Sequence, residues 1–273
     1  MDGISVEEVF VTAGINVRSH CLAACQASDH FVFASDGQAV VQTFPSNTCG
    51  RIVSVSDRFH SGPITILKRV TNVVNNSEDD VFLSAGVDGR VVLYSVAAVN
   101  PIIRHLTTLD GVKGSIGALC GTFAADRLVL MASWVSGTDG GVRIWWLNQD
   151  SQEYSMRTLF DVNDIGTAFV IASDMQTMSN GRVLLAVGTT RRMIELYCET
   201  SCEKAMKRVL SVAGHEDWIH SIAFNQSFPV LMASAGQDGF VKLWRIEEEE
   251  VKGGGDGEIW CNKKSLPNRK PEK

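Results

Sequence analysis

The string His215-Glu216-Asp217-Trp218-Ile219-His220 gathers two imidazoles and two carboxylates within six residues. Zinc-protease chemistry would need two His four positions apart on one helix face, with a Glu beside the first. Here the second His falls five positions on, in a stretch whose apolar spacing is that of a strand. A structural role for both rings is the better reading. Cys21/Cys25 and Cys198/Cys202 are spaced C-x3-C, with no second Cys or His pair at zinc-finger spacing, so no metal is expected. No phosphate-binding Gly-rich loop, nucleophile elbow or paired-carboxylate motif occurs, and no catalytic residue and no cofactor are expected. Asn75-Asn76-Ser77 and Asn225-Gln226-Ser227 have the form of glycosylation acceptors and read as chance matches in a chain expected to stay inside the cell. Arg191-Arg192 and Lys204/Lys207/Arg208 make small basic spots; a solvated face explains them better than contact with RNA phosphate.

Composition narrows the class. The chain has 273 residues, 45% of them hydrophobic and 21% charged, with a formal net charge of −6. That apolar content can bury a core, and the acidic balance argues against coating nucleic acid by bulk charge. Seven Cys spread thinly do not look like a disulfide framework. Residues 1–20 carry Asp2, Glu7 and Glu8 without the basic start of a secretory signal, and no apolar run reaches membrane-span length. The expected location is cytoplasmic, and nuclear as well. Gly 24 against Pro 6, with abundant Val, Ile, Ser and Thr, favours strands and tight turns.

An internal repeat organises these residues. It reads FASDGQAVVQTF (33–44), LSAGVDGRVVLY (83–94), WVSGTDGGVRIW (134–145), LAVGTTRRMIELY (185–197) and MASAGQDGFVKLW (232–244). Each copy is a small-residue strand, a polar turn and an alternating strand ending in an aromatic. The ends, Phe44, Tyr94, Trp145, Tyr197 and Trp244, lie 50, 51, 52 and 47 residues apart. Asp238-Gly239 between two strand-like runs is a strong hairpin signal. Three or four short strands per unit, repeated, predict an all-β propeller of about five blades.

Gly214-His215, then Ser234, Asp238 and Trp244, resemble a WD repeat. The resemblance implies a buried chain in which Asp238 accepts from the His215 ring, the ring also reaches Ser234, and Ser234 accepts the Trp244 indole N–H. It implies the same for His60, Ser84, Asp88 and Tyr94. In the third unit Ser133, Asp139 and Trp145 remain without a His. The fourth puts Thr190 or Arg191 where Asp is expected, so these two blades should rely more on apolar packing. AGHEDWIHSIAF followed by LMASAGQDGFVKLWRI, and VLLAVGTTRRMIELY before KRVLSVAGHEDWI, resemble the first propeller of the Elongator second-subunit family. That resemblance implies a non-catalytic scaffold that supports tRNA wobble-uridine modification. The implied partners are the large scaffold subunit and the catalytic acetyltransferase-type subunit, with tRNA contacted indirectly and no membrane. The alternatives are a WD-repeat adaptor of another complex, such as a ubiquitin-ligase substrate receptor, or a truncated product without function.

The repeat also sets expected boundaries. Residues 1–246 read as a partial propeller with units ending near 44, 94, 145, 197 and 244. At this pitch a seven-bladed ring needs roughly 350 residues, so an incomplete, open ring is expected, with 6–13 as a closing strand. Residues 247–273 open on a run of four Glu, followed by a Gly run with no strand period, and read as a flexible charged tail. Trp218 precedes the first buried residue of its strand, which places it with Glu216 and Gln237 on a rim as the candidate partner-binding site. Ser61, Pro63 and Val87 are the equivalents in the second unit.

Overall fold

Short Val/Ile/Leu runs cut by Gly, Asp and Asn become strands joined by tight turns in the computed structural model of the chain. It describes residues 21–26, 28–43, 51–70, 79–109, 112, 114–124, 127–137, 139–148, 154–161, 168–200, 205–225, 229–249 and 258–263. Among these there are five four-stranded antiparallel sheets, each a meander whose strands pair in chain order. The segment 6–13 and Phe44 lie outside the described residues.

The chain divides into two compact units, one of Met1–Arg69 and Ser77–Gly111, the other of Val70–Asn76 and Val112–Lys273. The first holds sheet one, β1 (Leu22–Ala24), β2 (His30–Ser35), β3 (Gln38–Thr43) and β4 (Ile52–Val55), and sheet two, β5 (Ile64–Arg69), β6 (Asp79–Gly86), β7 (Val91–Ala97) and β8 (Ile103–Leu109). Val32, Ala39 and Val41 of sheet one pack on Leu67, Phe82, Val92 and Tyr94 of sheet two.

The second unit holds three sheets. Sheet three is β9 (Ser115–Ala124), β10 (Arg127–Ser136), β11 (Asp139–Asn148) and β12 (Tyr154–Asp161). Sheet four is β13 (Val170–Thr177), β14 (Val183–Thr189), β15 (Met193–Glu199) and β16 (Met206–Ala213). Sheet five is β17 (Ile219–Phe224), β18 (Val230–Gly236), β19 (Val241–Glu249) and β20 (Glu258–Lys263). First strands neighbour one another, β9 beside β13 and β13 beside β17. Stacking explains why β14, VLLAVGT, is buried at every position instead of alternating: sheet four packs one face on sheet three and the other on sheet five. Among the described residues, sheet five buries one face only. Val241 and Leu243 are 64% and 41% exposed, whereas Val91 and Leu93 at the matching positions of sheet two are 0% and 1% exposed.

Two sequence boundaries move. In sheets two to five the repeat ends in the third strand, and a fourth strand follows it. Nor is 247–273 wholly a tail: β19 continues to Glu249, and Glu258–Lys263 pairs with it from Trp244↔Lys263 to Glu249↔Glu258. Pairing joins backbone groups along an edge that β19 already supplies, so EIWCNK needs no long apolar period of its own.

Candidate functional site

The corner between β16 and β17 carries Gly214-His215. The N–H groups of Gly214 and His215 donate to the carbonyl of Arg192 in the preceding hairpin, at 3.0 and 3.3 Å. From this corner the His215 ring enters sheet five. Trp244 Nε1 can only donate, and it donates to Ser234 Oγ at 2.9 Å. The Ser234 hydroxyl hydrogen is then free for His215 Nε2 at 2.8 Å, which leaves Nδ1–H to donate to Asp238, 3.0 Å from either carboxylate oxygen. Asp238 also accepts the N–H groups of Glu216 and Phe240, at 2.9 and 3.1 Å. Burial works to raise the Asp238 carboxyl. The Glu216 N–H, the His215 ring and the Phe240 N–H outweigh it and hold the group below the usual carboxylate range. Two glycines make room. Gly239 has φ +78° in the turn, and a Cβ on Gly236 would meet His215 Nδ1 at 2.5 Å.

Sheet two repeats the arrangement. His60 Nδ1 lies 3.0 Å from Asp88 Oδ1, His60 Nε2 lies 2.8 Å from Ser84 Oγ, and the Ser84 and Tyr94 hydroxyls are 3.4 Å apart. Burial pushes the His60 ring below its ordinary pKa against the pull of Asp88, so the ring is neutral near pH 7. Burial also pushes the Tyr94 hydroxyl up.

Each set has the connectivity of a Ser-His-Asp relay, which the sequence reading did not raise. Access decides against that chemistry. Ser84 and Ser234 are 0% and 1% exposed, and the aromatic partner closes over each hydroxyl. What the arrangement does is fasten a loop corner to a hairpin inside one sheet.

Sheets three and four are held differently. Trp145 pairs with Leu130 and Arg143 with Ala132, so Ser133 lies on the face opposite Trp145. Its hydroxyl donates to the Val170 carbonyl of sheet four at 2.8 Å. Asp139 sits in the ladder opposite Ser136, not in a turn, and the Trp145 indole N–H has no partner among the described residues. Ser133, Asp139 and Trp145 therefore form no tetrad. In sheet four Val187 occupies the Ser position and Arg191 the Asp position. Instead, Glu199, 3% exposed, accepts from Arg127 Nη2 at 2.6 Å and from Trp146 Nε1 at 3.0 Å. Arg182 Nε donates to the Glu199 carbonyl at 2.8 Å. Sequence reasoning missed this clamp. Its one local signal is the Glu that ends the strand MIELYCE.

The rim residues come together. Glu216, Trp218 and Gln237 are all exposed, Trp218 by 48%, and the Gln237 N–H donates to the Trp218 carbonyl at 2.8 Å. In sheet two Ser61, Pro63 and Val87 occupy the same places, with the Val87 N–H 3.4 Å from the Pro63 carbonyl. Of the HEDWIH string, His215 turns into the sheet and His220 lies exposed on β17, its ring centroid 6.5 Å from that of Trp218. Among the described residues no three His, Cys, Asp or Glu side chains are placed to hold a metal ion. Burial pushes the Cys25 thiol up to about 11, which makes it a poor nucleophile.

Repeated four-stranded meanders, first strands side by side, and a His-Ser-Asp-aromatic chain at a glycine corner define a WD-repeat β-propeller protein. Residues 206–245 match the description WD domain, G-beta repeat, a span that starts with β16 of sheet four and ends with β19 of sheet five. The chain is similar to Elongator complex protein 2 of Danio rerio, 24% identical over 198 residues, which make up 72% of this chain and 22% of that protein. It is also similar to Elongator complex protein 2 of Drosophila melanogaster, 26% identical over 214 residues (72% and 26%), and of Saccharomyces cerevisiae, 25% over 180 residues (64% and 22%). These similarities support an Elongator subunit 2-like WD-repeat protein. The chain spans about a quarter of the length of these relatives.

Proposed function

We propose that the chain serves as a non-catalytic scaffold within an Elongator-type complex and so supports modification of the tRNA wobble uridine. Its partners are the large scaffold subunit and the catalytic acetyltransferase-type subunit, and its setting is the cytoplasm and the nucleus. The observation that carries this reading is the rim of sheet five. The relay groups turn inward and are closed off, while Glu216, Trp218 and Gln237 face outward on a corner fixed by buried hydrogen bonds. A rigid exposed Trp flanked by polar groups suits an interface anchor. Similarity to Elongator complex protein 2 supports the choice of complex. Trp218→Ala should weaken capture of the Elongator large subunit by ~2 kcal/mol with the circular dichroism unchanged. An unchanged dissociation constant would take Trp218 out of the interface.

A further inference from the structure

The hairpin turns of sheets two, four and five share one geometry and differ in charge. Asp88-Gly89 and Asp238-Gly239 place Gly in the left-handed region, at φ +73° and +78°. Sheet four has Arg191-Arg192 in these places, with Arg192 at φ +69°. Left-handed backbone disfavours any residue with a Cβ, so Arg192 stands where Gly would be more stable. In the other two turns a carboxylate collects the N–H of the corner loop and of the residue after the Gly. Sheet four instead presents two exposed Arg side chains, and no ion pair to either is found among the described residues. The turn lies beside the Trp218 loop, because the Arg192 carbonyl holds Gly214 and His215 and because Ile219 packs against Gly188.

We infer that the Arg191-Arg192 turn receives an Asp or Glu side chain of a partner protein, which pairs with the exposed guanidinium groups standing where the other two turns carry Asp-Gly. This rests on the scaffold reading and names the chemistry of the partner. Exposed Glu216 and the neighbouring Asp217 oppose a long polyphosphate backbone but leave room for one carboxylate, and Trp218 gives that segment an apolar neighbour.

The test uses the full chain and three labelled probes: a short Leu-flanked peptide with two Glu, the same peptide with two Gln, and a single-stranded RNA octamer. The Glu peptide should bind at least ~10-fold more tightly than the Gln peptide, and the Arg191→Ala/Arg192→Gly variant should lose that difference. Arg192→Gly alone should raise the melting temperature by about 2 °C, since it relieves the left-handed backbone. Equal binding of the two peptides, or an undiminished difference in the double variant, overturns the inference. Tighter binding of the RNA octamer overturns it in favour of phosphate. Capture of the Elongator large subunit is measured in parallel. Peptide discrimination without capture fails the complex assignment alone, and capture without discrimination fails this inference alone.

Discussion

Sheets two and five close a polar chain inside themselves, whereas sheets three and four share one between them. In sheet five the donors and acceptors span His215 to Trp244, and every member belongs to one corner, one hairpin and their strands. In the other pair Arg127 and Trp146 of sheet three meet Glu199 of sheet four, and Ser133 reaches the Val170 carbonyl across the same gap. The first device fixes a sheet's own loops. The second fixes the register of two stacked sheets, which apolar faces alone leave free to slide. Polar satisfaction is needed in both, but only the internal device can recur as a motif, because its spacing travels with the repeat.

The sharpest way to break this contrast is to remove the shared carboxylate. Glu199→Ala removes the carboxylate to which the Arg127 guanidinium and the Trp146 N–H both donate, and should cost about 3 kcal/mol in urea melts. Glu199→Gln keeps the shape and one acceptor and should cost less. A loss for Glu199→Ala no greater than for an exposed-site control would mean that apolar packing alone sets the register. Next in size is the internal device. Asp238→Ala deprives the His215 ring and two backbone N–H groups of their acceptor, at ~1–3 kcal/mol. Asp29→Ala, on an exposed bend, should cost little. Equal losses for the two Asp variants would remove the tetrad as a stabilising unit.

The same contrast explains what was legible in the sequence. Asp238-Gly239 and its flanking strands could be read because hairpin chemistry is local. His215, Ser234, Asp238 and Trp244 could be read because their offsets are fixed by one sheet's register. Ser133 was misplaced for a physical reason. Its hairpin closes at Ser136↔Asp139, tighter than the turn around Asp238, and that shift carries the hydroxyl to the other face. The Arg127–Glu199 pair joins residues 72 apart with no repeat to announce them. β20 was missed because a strand at a sheet edge borrows its order from its neighbour.

The smallest effect separates the two polar devices by pH. His60 is buried and neutral, with its folded pKa pushed below the ordinary value by burial against the pull of Asp88, and Arg90 pushing the same way as burial. Protonation therefore favours the unfolded chain. The contribution of the neutral ring is fully present above the ordinary His value of about 6.5 and is lost as pH falls from there toward the folded pKa. Asp88 acts in a separate, lower window: its folded pKa lies below the usual carboxylate value, so its contribution disappears only as pH falls below about 4. A protonated ring also has no acceptor left for the Ser84 hydroxyl, so the internal chain of sheet two opens at the same step. The Arg127–Glu199 clamp contains no imidazole. Urea melts at pH 8, 6 and 5 should show His60→Gln less stable than the native chain at pH 8, with the gap narrowing as pH falls. The other five His residues are common to both proteins, so their effects cancel in the difference. Parallel stability curves would mean that His60 does not titrate on unfolding, and the pH contrast between the two devices would fall with it.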